Sequence, residues 1–357
     1  MSYDDTDVAA RAVRDVVGDI PIVGGTSGAC VIGASSIASR GVSVVLLGGE
    51  DIEVATRAAA LESPELMDVV PAARGVAEAA DEAAKRGLDH YSCLVFAPGI
   101  GVDGEALVAA VRKGLGARAQ LAGGFTGDDL TMDRPRVFVR DELRRGEVVL
   151  AGLFTKKHVG ISARHGWRAV GPKRTVTRAD GPRLLELDGR PALEVWLEDA
   201  LKAGAVLPPS PKDLLLYLAN HYEIGITDAT TTTSAEVVAR APWALHPDGS
   251  VTLSGSVGEG RHIRLVHASR KDLLRASTNA ASDAVLRAGS QIAGALVFAC
   301  AGRLAALGDD FAEEPRSIRE RVAAPIGGAC VFGEIAKTER DVDAFFNTTA
   351  VVVAFAA

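Results

Sequence analysis

Three glycine-glycine segments recur along the chain, and this recurrence constrains the fold more than any other feature. Residues 21–33 read PIVGGTSGACVIG, residues 121–128 read LAGGFTGD, and residues 325–334 read PIGGACVFGE. Each reads as a Gly-Gly turn leading into a short apolar run. The flanks repeat as well. The run LVFAPG at 94–99 precedes the second copy, and LVFACAG at 296–302 precedes the third. Downstream, VVLAGL at 148–153 answers VVVAFA at 351–356. A long period holding whole supersecondary units indicates internal duplication. Duplicated halves pack face to face, and the crevice between them is a natural ligand site.

A chain of 357 residues suits two domains. The proline-rich stretch at 207–211 sets the expected boundary, giving domains over 1–206 and 207–357. Apolar periodicity predicts helices over 8–17, 50–60, 75–86, 105–115, 192–202 and 270–288. Strands are predicted over 42–47, 93–97, 137–139, 148–154, 214–218, 251–253 and 263–267, with a meander between 159 and 187. Helices and strands alternate, yet each glycine unit supplies two neighbouring strands. The predicted fold class is therefore α/β: a mixed-sheet layered architecture of two pseudo-repeated halves, with helices packed on the sheets.

The net charge is −7, with no basic run, which argues against nucleic acid. No apolar stretch approaches the ~20 residues that span a bilayer, and the acidic N-terminus is unlike a signal sequence. A cytoplasmic location is expected. Cys30, Cys93, Cys300 and Cys330 fit no C-x-x-C spacing and read as reduced, buried thiols.

Gly99-Ile100-Gly101-Val102-Asp103-Gly104 is a literal G-x-G-x-x-G between a strand and a helix. It lacks the acidic strand end about 20 residues on that a dinucleotide site uses. A tight turn, or a smaller anion at the helix N-terminus, remains open. The glycine copies offer another site. Gly25, Thr26, Ser27 and Gly28 supply donors; Gly123, Gly124, Phe125 and Asp128 follow in the second copy, and Gly333 and Glu334 in the third. If they meet, donors face a carboxylate and acids face an ammonium, which suits a zwitterion. Asp128 and Glu334 read equally well as caps of local turns. Arg303 reads as an anion clamp or as a helix-end partner. Cys300 would need a nearby base to act as a nucleophile, and no histidine sits in a partner motif. The histidines show no metal-ligand spacing.

Several motifs together resemble the FIST family. Gly24-Gly25-x-x-Gly28, the LAGGFTGDD stretch, Gly166-Trp167 and Leu187-Asp188-Gly189-Arg190-Pro191-Ala192 are similar to its amino-terminal domain. Gly255-x-x-Gly258-Glu259-Gly260, the FACAGR run ending at Arg303, Gly333-Glu334 and Asn347-Thr348-Thr349 are similar to its carboxy-terminal domain. The resemblance implies a sensory module that binds a small ligand, such as an amino acid, without catalysis, and adds Asn347 to the expected site. The chain ends at Ala357 without a transmitter. The expected partner is therefore a separate signalling protein, such as a histidine kinase or a cyclic-di-nucleotide enzyme. Some relatives bind haem and sense nitric oxide, so a haem-based gas sensor is one alternative and haem the one cofactor to consider. No histidine here lies in a motif that carries over as its ligand. An enzyme using Cys300 or a nucleotide at Gly99 to Gly104 is the other alternative.

Overall fold

Two sheets carry the repeat, strand for strand. The structure, a computed structural model, describes residues 6–34, 36–63, 66–139, 142–227, 237–289, 291–337 and 343–357. In the first sheet the strand order is Asp343–Phe346, Gly333–Lys337, Gln120–Thr126, His90–Pro98, Glu147–Thr155, Ile52–Ala60. In the second it is Ile37–Ala38, Val31–Ile32, Ile326–Val331, Ile292–Cys300, Ala350–Ala356, Val159–Arg164. The central pair is parallel in each, Val95 beside Gly123 and Val297 beside Gly328. The next strand is antiparallel in each, and so is the outer one beyond it. The two repeats thus build equivalent sheets. Each sheet borrows an edge: Gly333–Lys337 joins the first, and Val31–Ile32 joins the second.

Strand periodicity explains why these runs are continuously apolar. Cys93, Val95 and Ala97 face the helices Val69–Ala84 and Gly104–Leu115. Leu94 points the other way, into a core shared with Phe298, Val331, Val351, Val353 and Phe355 of the second sheet. Ala295, Val297 and Ala299 face Arg270–Ala288 and Glu313–Val322. Alternate residues point to opposite faces, and both faces are covered, so no polar alternation survives. The result is four layers: helices, sheet, sheet, helices. A third sheet, containing Arg168–Asp180, Tyr222–Thr227 and His262–His267, packs against Ala192–Lys202 and Pro211–His221 over a core of its own. Among the described residues, no helix is long and apolar enough to cross a membrane.

The α/β class, the layered mixed sheets and the two halves agree with the sequence reading. Four local expectations do not. Gly123-Gly124 and Gly327-Gly328 lie inside strands, not in turns. Gly123 has φ 153° and Gly328 φ 158°, and an added Cβ would stand 2.0 and 1.9 Å from the carbonyl oxygens of Val95 and Val297. Only glycine lets the parallel neighbour come this close. Residues 50–60 hold a strand, Ile52–Ala60, where the sequence reading expected a helix. Nine paired positions along Glu147–Thr155 outweigh a weak local preference for helix. Residues 214–218 belong instead to the helix Pro211–His221, which Ser210 caps through the Asp213 N–H, with proline in its first turn. Residues 42–47 run without assigned strand structure.

Candidate functional site

The parallel strands of both sheets end at one place. Pro98 lies beside Thr126, and Cys300 beside Val331. Backbone bonds then tie the ends together. The Phe332 N–H donates to Phe125 O at 2.8 Å, and the Gly99 N–H to Thr126 O at 2.9 Å. The first glycine copy threads between the other two. Gly28 N–H donates to Cys330 O at 2.7 Å, and Gly127 N–H to Thr26 O at 3.1 Å. The Thr26 hydroxyl donates to Gly127 O and accepts from Arg136 N–H. The copies therefore do meet, but glycines in them and beside them pack on aromatic rings. Positions 28 and 99 abut Phe332, while 104, 255 and 333 abut Phe345. Both rings are buried and stand against these glycines.

Polar chemistry concentrates at residues 347–349, where the chain crosses from the first sheet to the second. Thr348 has φ 50°, costly for a β-branched residue. Its hydroxyl accepts from Trp167 Nε1 at 2.8 Å and donates to Glu223 Oε2 at 2.9 Å. The Thr349 N–H donates to Glu334 Oε2 at 3.1 Å. Glu223 and Glu334 are both fully buried. Burial pushes the Glu223 carboxyl up to about 8, against the pull of Thr348, Arg303 and Arg240. Burial likewise pushes Glu334 well above the carboxylate range, opposed by the Thr349 N–H, the Cys300 thiol and Arg303. Arg240 lies over the Phe345 ring and pairs with Glu105. One of its terminal nitrogens donates to Phe345 O at 3.2 Å and reaches Asn347 Oδ1 at 3.5 Å. Glu223 Oε1, Glu334 Oε1, Asn347 Nδ2 and Arg240 Nε have no hydrogen-bond partner among the described residues.

Gly28, Cys300, Gly333, Glu334 and Asn347 gather around this crossover or the strand ends beside it. Thr26 and buried Ser27 belong to the threaded segment, and Gly25 bridges Val137. Gly123 and Gly124 lie back in their strand, and Phe125 meets Phe345 edge-on at 4.9 Å. Asp128 is spent on a local turn. Burial would raise its carboxyl, but the N–H groups of Arg134, Met132 and Asp133 hold it low. Arg303 is spent too. It donates to Glu314, Ser277 and the carbonyls of His165, Thr348 and Leu273. No donor is left over for an anion clamp. The G-x-G-x-x-G helix already carries an anion of its own, because Asp103 accepts from the Glu105 and Ala106 N–H groups. A phosphate at that terminus would have to displace it.

Glu223, Arg240, Phe332 and Phe345 escaped the sequence reading, and Thr348 enters it only as part of the Asn347-Thr348-Thr349 motif. Two of them left a trace, a single charge in an apolar strand: Glu223 in YEIGIT and Arg240 beside Val237–Ala239. Buried charges are rare enough to mark a function or an ion pair.

The fold and the crossover define a duplicated, layered scaffold with a closed polar centre. The chain belongs to the FIST family: residues 1–190 match the FIST N domain and residues 192–337 the FIST C domain. Domains of this family are sensory domains associated with small-ligand binding in signal transduction. No curated protein matches the chain.

Proposed function

We propose that this protein is a non-catalytic sensor of a small zwitterion, such as an amino acid, bound at residues 347–349. The observation that carries the reading is the set of buried polar atoms left without partners there. Buried polar groups are nearly always satisfied, so several orphans around one crossover are positioned to bond a ligand's own groups. Glu223 and Glu334 would give up their protons and take an ammonium; Asn347 Nδ2 and Arg240 Nε would donate to a carboxylate. The Cys300 thiol is raised well above its usual range by burial and by Glu334. That direction opposes nucleophilic catalysis, which needs a thiolate. Entry requires Phe332 and Phe345 to move, and their displacement supplies the conformational signal. The output passes to a separate signalling protein in the cytoplasm, such as a histidine kinase or a cyclic-di-nucleotide enzyme.

The test is thermal shift followed by calorimetric titration against amino acids, simple amines, simple carboxylic acids and haem. We expect a dose-dependent rise with a compound carrying both charges. Glu334→Gln should remove that rise while the protein stays folded. A rise with haem alone, accompanied by a Soret band, would overturn the reading in favour of a gas sensor.

A further inference from the structure

The first and third glycine copies share more than glycine: GACVIG at 28–33 is answered by GACVFG at 328–333. The two copies pair antiparallel, Val31 opposite Ala329 and Ile32 opposite Gly328. Continuing that register by one residue places Cys30 directly opposite Cys330. The backbones remain joined there, Cys330 N–H donating to Cys30 O at 3.1 Å. The two Sγ atoms are 2.8 Å apart, closer than ordinary packing of unbonded thiols, and the chain takes a left-handed step at Ala29 just before Cys30.

We propose that Cys30 and Cys330 form a redox modification site, closing to a disulfide when a small hydroperoxide reaches it. Directly opposed antiparallel residues have Cα atoms about 4.5–5.5 Å apart, inside the range that disulfides use. The sulfurs need to approach by only about 0.8 Å to reach bonding distance. Cys30 is the attacking thiol. It lies one residue before the two-residue strand Val31–Ile32, on a segment with little regular structure of its own, where local opening is cheapest. Its thiol is lowered by the hydrogen bond with Cys330, while burial pushes Cys330 up. In the first step the Cys30 thiolate attacks one peroxide oxygen, the O–O bond breaks, and the departing hydroxide leaves as water with a proton. In the second, the Cys330 sulfur attacks the sulfenic sulfur of Cys30. The S–O bond breaks and hydroxide departs with the Cys330 proton as a second water. Two thiols and one hydrogen peroxide thus give one disulfide and two waters.

The bond acts on the ligand site. Gly28 lies two residues before Cys30 and Phe332 two after Cys330, and these two already touch. Oxidation therefore clamps Phe332, one of the two buried rings, against the first glycine copy. Cys93 lies in a separate core under the other helix layer and serves as an internal control.

The experiment treats the folded wild-type protein with hydrogen peroxide, quenches, denatures, alkylates with N-ethylmaleimide and maps tryptic peptides by mass. The expected result is two alkylated thiols of the four, with residues 15–40 cross-linked to residues 322–337. Dithiothreitol should restore all four, and Cys30→Ser should abolish the cross-link. Four alkylated thiols after treatment of the folded protein would overturn the proposal. So would a cross-link through Cys300, or oxidation to sulfinic acid without any cross-link. The wild-type map decides the matter even where a serine variant fails to fold. No ligand is used, so its failure and that of the sensor reading are told apart.

Discussion

Arg303 and Glu314 face each other at 2.5 Å with neither side chain exposed to solvent. Removing one member of such a pair strands the other charge in the interior. Arg303→Met should therefore cost about 3–5 kcal/mol, read as a lower urea midpoint. An arginine that served only to hold a ligand's anion would instead leave stability unchanged and weaken affinity. The remaining bonds of Arg303, to Ser277 and three carbonyls from distant segments, make its loss cooperative across the second helix layer, the crossover and the segment after Val159–Arg164.

Two glycines should be far less replaceable than their neighbours. At Gly123 and Gly328 the new methyl would collide with a backbone carbonyl that cannot rotate away. Gly123→Ala and Gly328→Ala should each lose at least about 3 kcal/mol, or fail to give soluble protein. Gly260, with φ 77° and nothing within 4 Å, isolates the conformational cost alone. Gly260→Ala should cost about 1–2 kcal/mol. Equal losses at all three positions, measured by urea denaturation, would contradict the strand packing described above.

The Thr348 hydroxyl joins Trp167 to Glu223. Thr348→Val keeps the shape but leaves a buried indole N–H and a buried carboxyl without partners. The expected loss is about 2–4 kcal/mol, and Thr348→Ser should recover most of it. Trp167 is itself buried, so its fluorescence reports the change.

These sites show what the sequence could and could not carry. The duplication was legible because each repeat must place the same apolar strands at the same places: 94–97 with 296–299, and 148–153 with 351–356. Periodicity fixed Ala192–Lys202 and Arg270–Ala288 to the residue, since both are amphipathic and well capped or proline-started. Residues 50–60 misled because local spacing favours helix only where no partner strand is waiting. The Gly-Gly pairs misled because glycine marks close approach as readily as a turn. Of the site, Glu334 and Asn347 were visible as motif residues. Glu223 was not, because what places it there is a third sheet pressed against the crossover, and local spacing does not encode that. Arg303 was correctly singled out, but its role depends on Glu314, eleven residues on and facing it from another helix.

The buried carboxyl of Glu223 should also be visible as a pH dependence of stability. Its pKa rises on folding from an ordinary value near 4.5 to about 8. Between those values the folded state binds the proton and the unfolded state has released it. The contribution of Glu223 is therefore complete below pH 4.5 and is lost as pH rises through 8. His165 acts in the opposite sense. Burial, then Arg303 and Arg164, lowers it to about 4, so the unfolded state takes its proton first as pH falls below about 6.5. Comparing wild type with Glu223→Gln cancels the histidine term, because both proteins carry it. The amide oxygen of the substituted side chain keeps an acceptor for the Thr348 hydroxyl. The stability difference, wild type minus variant, should fall steadily from about pH 5 to about pH 8 by an amount on the order of a few kcal/mol. Urea denaturation at several pH values measures it. A flat difference would mean that Glu223 is ionised in the folded protein at neutral pH. In that case the site already holds a charge awaiting a cation, and ligand binding releases no proton.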